Sequence, residues 1–121
     1  MKYIIADPDE LSNIELKNIL DEIKVLDFQG SFRTFEEAEM NIHRESLDIA
    51  FVRIGKVALN AYELTRKIRA LNPFASVIFI SSQEEYALEA FECEANGLLL
   101  SPLNRDKIKY FLQKSIRMNK I

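Results

Sequence analysis

Four unbroken apolar runs punctuate the 121-residue chain: YIIA at residues 3–6, IAFV at 49–52, VIFI at 77–80 and LLL at 98–100. None alternates with polar residues. Each therefore reads as a strand covered on both faces, as in a parallel sheet between two helical layers. A weaker run, VLDF at 25–28, alternates more and suits an edge strand.

Helical spacing fills the intervals. Leu11, Ile14, Ile19, Leu20 and Ile23 form an apolar stripe behind Asp9 and Glu10, acids placed where the helix dipole favours them. Thr34 precedes a helix over 35–43, with Glu37 three residues on as its capping partner. Another helix opens at Asn60 or Ala61, carries Leu64, Ile68 and Leu71, and stops at Asn72-Pro73. Residues 84–91 give a shorter helix with Tyr86, Leu88 and Phe91, and 104–118 a last one with Ile108, Phe111, Leu112 and Ile116. Strand and helix alternate five times. The pattern predicts an α/β fold: one doubly wound, five-stranded parallel sheet with right-handed crossovers, forming a single domain over residues 1–121. In such sheets the working site lies beyond the carboxyl ends of the strands, which singles out residues 7–9, Arg53, Ser81, Ser82 and Ser101.

Composition removes several function classes. The net charge of −3 argues against nucleic-acid binding by the domain as a whole, although residues 105–120 carry Arg105, Lys107, Lys109, Lys114, Arg117 and Lys120 against one acid, Asp106. A single cysteine, Cys93, leaves no internal disulfide and no cysteine-based zinc site. No leader peptide and no apolar run of bilayer length is visible, so a cytoplasmic protein is expected. Ser81-Ser82 has no histidine placed as a base, and Gly30, Gly55 and Gly97 make no phosphate-cradling loop, so no enzyme activity is expected. His43, at the end of its helix, reads as a cap or surface residue.

The blocks ADPDELSNIELKNIL, FVRIGKVALNAYEL and FISSQEEYALEAFECEANGLLLSPL resemble the receiver domain of bacterial two-component response regulators, especially receivers that precede a LytTR-type DNA-binding domain. The resemblance covers the whole chain and implies the flavodoxin-like strand order 2-1-3-4-5. It also implies a phosphorylation site: an aspartate nucleophile after the third strand, carboxylates holding magnesium, a hydroxyl, and a lysine that neutralises the acyl-phosphate.

Against that pattern Asp7 and Asp9 stand at acidic positions, with Pro8 where a second acid is expected. Arg53 occupies the nucleophile's position, Ser81 retains the hydroxyl, and Ser101 replaces the lysine ahead of the loop proline, Pro102. Leu98 stands where the family has its switch aromatic. The resemblance thus implies a pseudo-receiver with no magnesium site. Arg53 either bridges to Asp7, Asp9 or both, since a guanidinium fork matches a carboxylate, or reaches out to solvent. Its regulatory role would be homodimerisation through the fourth helix, fifth strand and fifth helix, where Glu84, Glu85, Glu89, Glu92 and Glu94 adjoin the basic terminal helix. RMNKI at residues 117–121 reads as the start of a linker to a DNA-binding domain. Two alternatives are a receiver phosphorylated on Asp7 or Asp9, and a module sensing an anion or other ligand at Arg53.

Overall fold

Each apolar run forms a strand in the computed structural model, which describes residues 1–42, 46–55 and 58–117. The order is β1 (Lys2–Ala6), α1 (Glu10–Leu20), β2 (Asp27–Phe32), α2 (Phe35–Asn41), β3 (Ile49–Arg53), α3 (Ala58–Leu71), β4 (Ser76–Ser81), a 3-10 turn (Glu84–Tyr86), α4 (Ala87–Glu92), β5 (Gly97–Leu100) and α5 (Arg105–Arg117). The sheet order is β2-β1-β3-β4-β5 and every pairing is parallel. His43 and residues 118–121 lie outside the described residues.

The continuous runs are explained by two cores, one on each face of the sheet. Ile4, Ala50, Val52, Val77 and Phe79 point to the α2–α3–α4 side. Tyr3, Ile5, Ile49, Phe51, Ile78 and Ile80 point to the α1–α5 side. Alternate residues of one strand therefore feed opposite cores, and every position in the run is apolar.

Several expected boundaries shift. The second strand runs over Asp27–Phe32 and not 25–28: Val25 is half exposed in the turn after α1, and the ladder starts with Lys2 opposite Asp27. Its register slips between Tyr3 and Ile4, so that Phe28 and Gly30 oppose consecutive β1 residues and Gln29 is the extra one. A Cβ at Gly30 would sit 2.7 Å from the Phe32 ring.

The stripe of α1 is also different. Leu11 and Ile14 are 79% and 51% exposed, and the buried line runs through Asn13, Leu16, Ile19, Leu20 and Ile23. Leu11 and Ile14 lie more than a quarter-turn off that line, on the far side of the helix. Helix α2 is capped by the Thr34 hydroxyl, which accepts from Glu37 N, but ends at Asn41. Helix α3 begins at Ala58, ahead of Asn60, and leaves Leu71 half exposed. The segment 84–91 divides into a 3-10 turn and a six-residue α4 whose buried residue is Ala90, with Leu88 and Phe91 outside.

One core residue is imperfectly satisfied. Tyr3 is 1% exposed and its hydroxyl has no hydrogen-bond partner. Burial, and then the charges of Asp21 and Asp27, push its phenol up to about 12. Tyr3→Phe is expected to raise stability at neutral pH by about 1 kcal/mol, because it deletes a buried unpaired polar group. The sign with pH is fixed: above pH 10 the unfolded chain ionises its tyrosine while the native state holds the proton, so native stability falls as pH rises toward 12. Urea titrations at pH 7 and pH 11 should show the Phe variant gaining more at the higher pH.

Candidate functional site

Strand parity decides which residues meet beyond the carboxyl edge. Asp7 follows Ile5 and Arg53 follows Phe51 at a spacing of two, so both turn toward α1 and α5. Ser81 follows Phe79 at the same spacing and so belongs to the opposite face. The structure brings Asp7 and Arg53 together and leaves Ser81 out.

The Arg53 guanidinium is bidentate on Asp7: Nε donates to Oδ1 at 3.1 Å and Nη2 to Oδ2 at 3.1 Å. Nη2 also donates to Ser12 Oγ at 2.6 Å, and Nη1 to Ser101 Oγ at 3.3 Å. Four of its five N–H groups are thereby engaged, one on Nε, one on Nη1 and two on Nη2. Asp7 is fully buried and the Arg53 side chain is 17% exposed. Arg53 thus ties the ends of β1 and β3 to the first turn of α1 and to the loop after β5.

Asp9 is not part of the pair. Its Oδ1 accepts from Ser12 N at 3.1 Å as the N-cap of α1, and its own N–H donates to Asp7 Oδ1 at 2.9 Å. The Ser81 hydroxyl accepts from Gln83 N and donates to Gln83 O, both at 3.0 Å, closing a local turn. Ser101 N donates to Ser81 O at 2.8 Å, and the Ser101–Pro102 bond is cis. Leu98 is half-buried against the α2–α3–α4 core.

Two contributors were not anticipated from the sequence. Ser12 accepts the shortest Arg53 bond. Asn13, 4% exposed, donates to Asp7 O at 3.1 Å and Phe32 O at 3.4 Å, and its Oδ1 accepts from Ser31 Oγ. A polar residue on the buried line of a helix was the available signal for Asn13. Ser12 carried none, because a serine in the first turn of a helix is ordinary.

Magnesium does not fit this donor set. Both Asp7 oxygens face a guanidinium, and the bound Asp9 oxygen is committed to the helix cap. Among the described residues no group of three or more His, Cys, Asp or Glu is gathered as metal ligands require. An anion is also poorly served at Arg53, whose charge is already paired with Asp7.

A second surface lies on α4, β5 and α5. Leu88, Phe91, Leu100 and Tyr110 are exposed there, at 67%, 80%, 40% and 67%. The acids on and around α4 adjoin them. The basic helix is divided, however: Arg105 and Lys109 turn to Glu22 at the end of α1, leaving Lys107 and Lys114 among the described cations of α5 without such a pair. Among the described residues no helix is long and apolar enough to cross a membrane.

No family model matches the chain. It is 31% identical to the transcriptional regulatory protein LytR of Staphylococcus aureus over 94% of its own length and 46% of that protein. It is 26% identical, at the same two coverages, to the sensory transduction protein LytT of Bacillus anthracis. The chain therefore spans about half the length of the curated relatives it matches. Among solved structures, the response regulatory domain of protein mrkE from Klebsiella pneumoniae superposes with a TM-score of 0.83 at 28% identity, covering 94% of this chain and 93% of that one.

Proposed function

Because the chain is a response-regulator receiver domain of the LytTR-regulator kind, we propose that it is a pseudo-receiver: a domain that signals through protein contacts and does not carry phosphate. The observation that carries this reading is the bidentate Arg53–Asp7 pair at the end of β3. An acyl-phosphate needs a carboxylate there, and arginine offers no oxygen to phosphorylate. Charge neutralisation is the core of phosphoryl-transfer chemistry, and here a fixed guanidinium already performs it, without a metal. A lysine at position 101 would repel Arg53, whereas Ser101 accepts a hydrogen bond from it.

The domain works as a homodimer through α4, β5 and α5, with Leu88, Phe91 and Tyr110 as the apolar contact and the α4 acids opposite Lys107 and Lys114 of a second copy. It is not an enzyme and takes no magnesium. Its place is the cytoplasm, linked to a DNA-binding domain that makes the nucleic-acid contacts. Incubation with acetyl phosphate and Mg²⁺ is the test, read by intact mass and sedimentation velocity. The expected result is no phosphoryl adduct and a dimer fraction indifferent to the phosphodonor. A stoichiometric adduct labile to hydroxylamine would overturn the reading and return Asp7 or Asp9 as acceptor.

A further inference from the structure

Helix α4, like α2, has one buried residue, Ala90 of its six, but where α2 is capped by Thr34, neither the 3-10 turn before α4 nor α4 itself has a side-chain cap at its N-terminus. Hydrophobic burial therefore contributes little to holding it. What holds it is polar and comes from α3.

Helix α4 ends in a Schellman turn: Ala95 N donates to Ala90 O and Glu94 N to Phe91 O, both at 3.0 Å, with Glu94 in the left-handed region at φ 58°. That turn leaves the carbonyls of Cys93 and Glu94 without an intrahelical donor. Arg69, in the last turn of α3, supplies both, Nη1 to Cys93 O at 3.0 Å and Nη2 to Glu94 O at 2.5 Å. Nη2 also reaches Asn96 Oδ1 at 3.1 Å, and Asn96 is in turn pinned to both backbone groups of Val77 at the start of β4. About two turns earlier on α3, Tyr62 donates its hydroxyl to Glu89 at 2.8 Å.

We infer that Arg69 is a latch: it fixes the C-terminal turn of α4 to α3, and α4 opens as a unit when that one guanidinium lets go. Among the described residues, Arg69 and Arg53 share no hydrogen-bond partner. The side-chain contacts that reach α4 and its C-terminal turn come from α3. The use of the latch is to hold Leu88 and Phe91 in one presentation, and that last step rests on the proposed dimer face.

Cys93 is the reporter. It is the only cysteine, sits at the C-cap of α4 and is half-buried against the α2–α3–α4 core, so opening exposes it. In the full chain, Arg69→Leu should raise the iodoacetamide labelling rate of Cys93 about tenfold, with faster amide exchange confined to residues 87–96. Arg69→Lys, which keeps the charge but cannot fork to two carbonyls, should fall between it and the native protein. Lys67→Ala, which removes the ion pairs to Glu39 and Glu63 elsewhere on α3, should change nothing. The direction is diagnostic. Burial raises the Cys93 pKa and the Arg69 charge lowers it, so loss of that charge alone would slow labelling. Native-like rates in a folded Arg69→Leu, or in Arg69→Lys should the leucine variant not fold, would overturn the latch. Sedimentation of the same variants decides the dimer reading separately: faster labelling with an unchanged dimer fraction keeps the latch and removes its proposed use.

Discussion

Arg53→Met should lower the unfolding free energy by about 3–5 kcal/mol in a urea titration, the loss typical of removing one partner from a buried ion pair. The size follows from the asymmetry of the pair. Asp7 has no exposure at all, so without the guanidinium its carboxylate keeps the Asp9 N–H and little else. It must then stay charged in a poor environment or take up a proton. Asp7→Asn should cost less, because Arg53 retains Ser12 and Ser101 and is 17% exposed to water. The double variant should recover most of the loss, since a neutral amide beside a thioether asks for no counter-charge. The coupling energy from that cycle measures the pair. Additive single losses, or an Arg53→Met cost below about 1 kcal/mol, would make Arg53 a solvated side chain of no structural weight.

The sheet was legible because its strands are buried on both faces, and burial on both faces writes itself as an unbroken apolar run. The site was legible in part. Arg53 announced itself by ending such a run with a charge, and its partner lay within the acids after β1. Choosing between Asp7 and Asp9 needed the third dimension: both are acids near the start of a helix and both stand at even spacing from Ile5, but Asp7 follows directly on β1 beside Arg53, while Asp9 is drawn off to cap α1. Parity does separate Ser81 from the pair, and that argument could have been made from the sequence once the strands were aligned.

The helices were read less well where polar groups carry the structure. Asn13 takes a buried position that a stripe-based reading assigns to an apolar residue, so Leu11 and Ile14 were placed inside in its stead. Helix α4 was read as amphipathic through Leu88 and Phe91, yet it is seated by Ala90, Arg69 and Tyr62. An element held by another element's side chains leaves no period in its own sequence.

Arg53→Asp should give a protein whose stability depends on Mg²⁺. In the native chain the cation at the strand edge is covalently part of β3, and added metal has nothing to replace. An aspartate at that position would share strand parity with Asp7, with Asp9 two residues beyond, and would gather three carboxylates where there is now one buried pair. Without metal, like charges in a dry site should leave the variant less stable than Arg53→Met. With metal, hard oxygen donors at that spacing suit magnesium, and binding to the native state alone adds about 2.7 kcal/mol at a concentration one hundred times the dissociation constant. Part of that gain is offset by about 1 kcal/mol if Asp9 must leave the α1 cap to serve as a ligand. Thermal melts in EDTA and in a Mg²⁺ series are the measurement: the native protein should give one melting temperature throughout, and the variant a rising one. A variant whose melting temperature does not move with Mg²⁺ would mean that the remaining acids no longer form a metal site even when the arginine is gone, and that more than one residue separates this fold from phosphorylation chemistry.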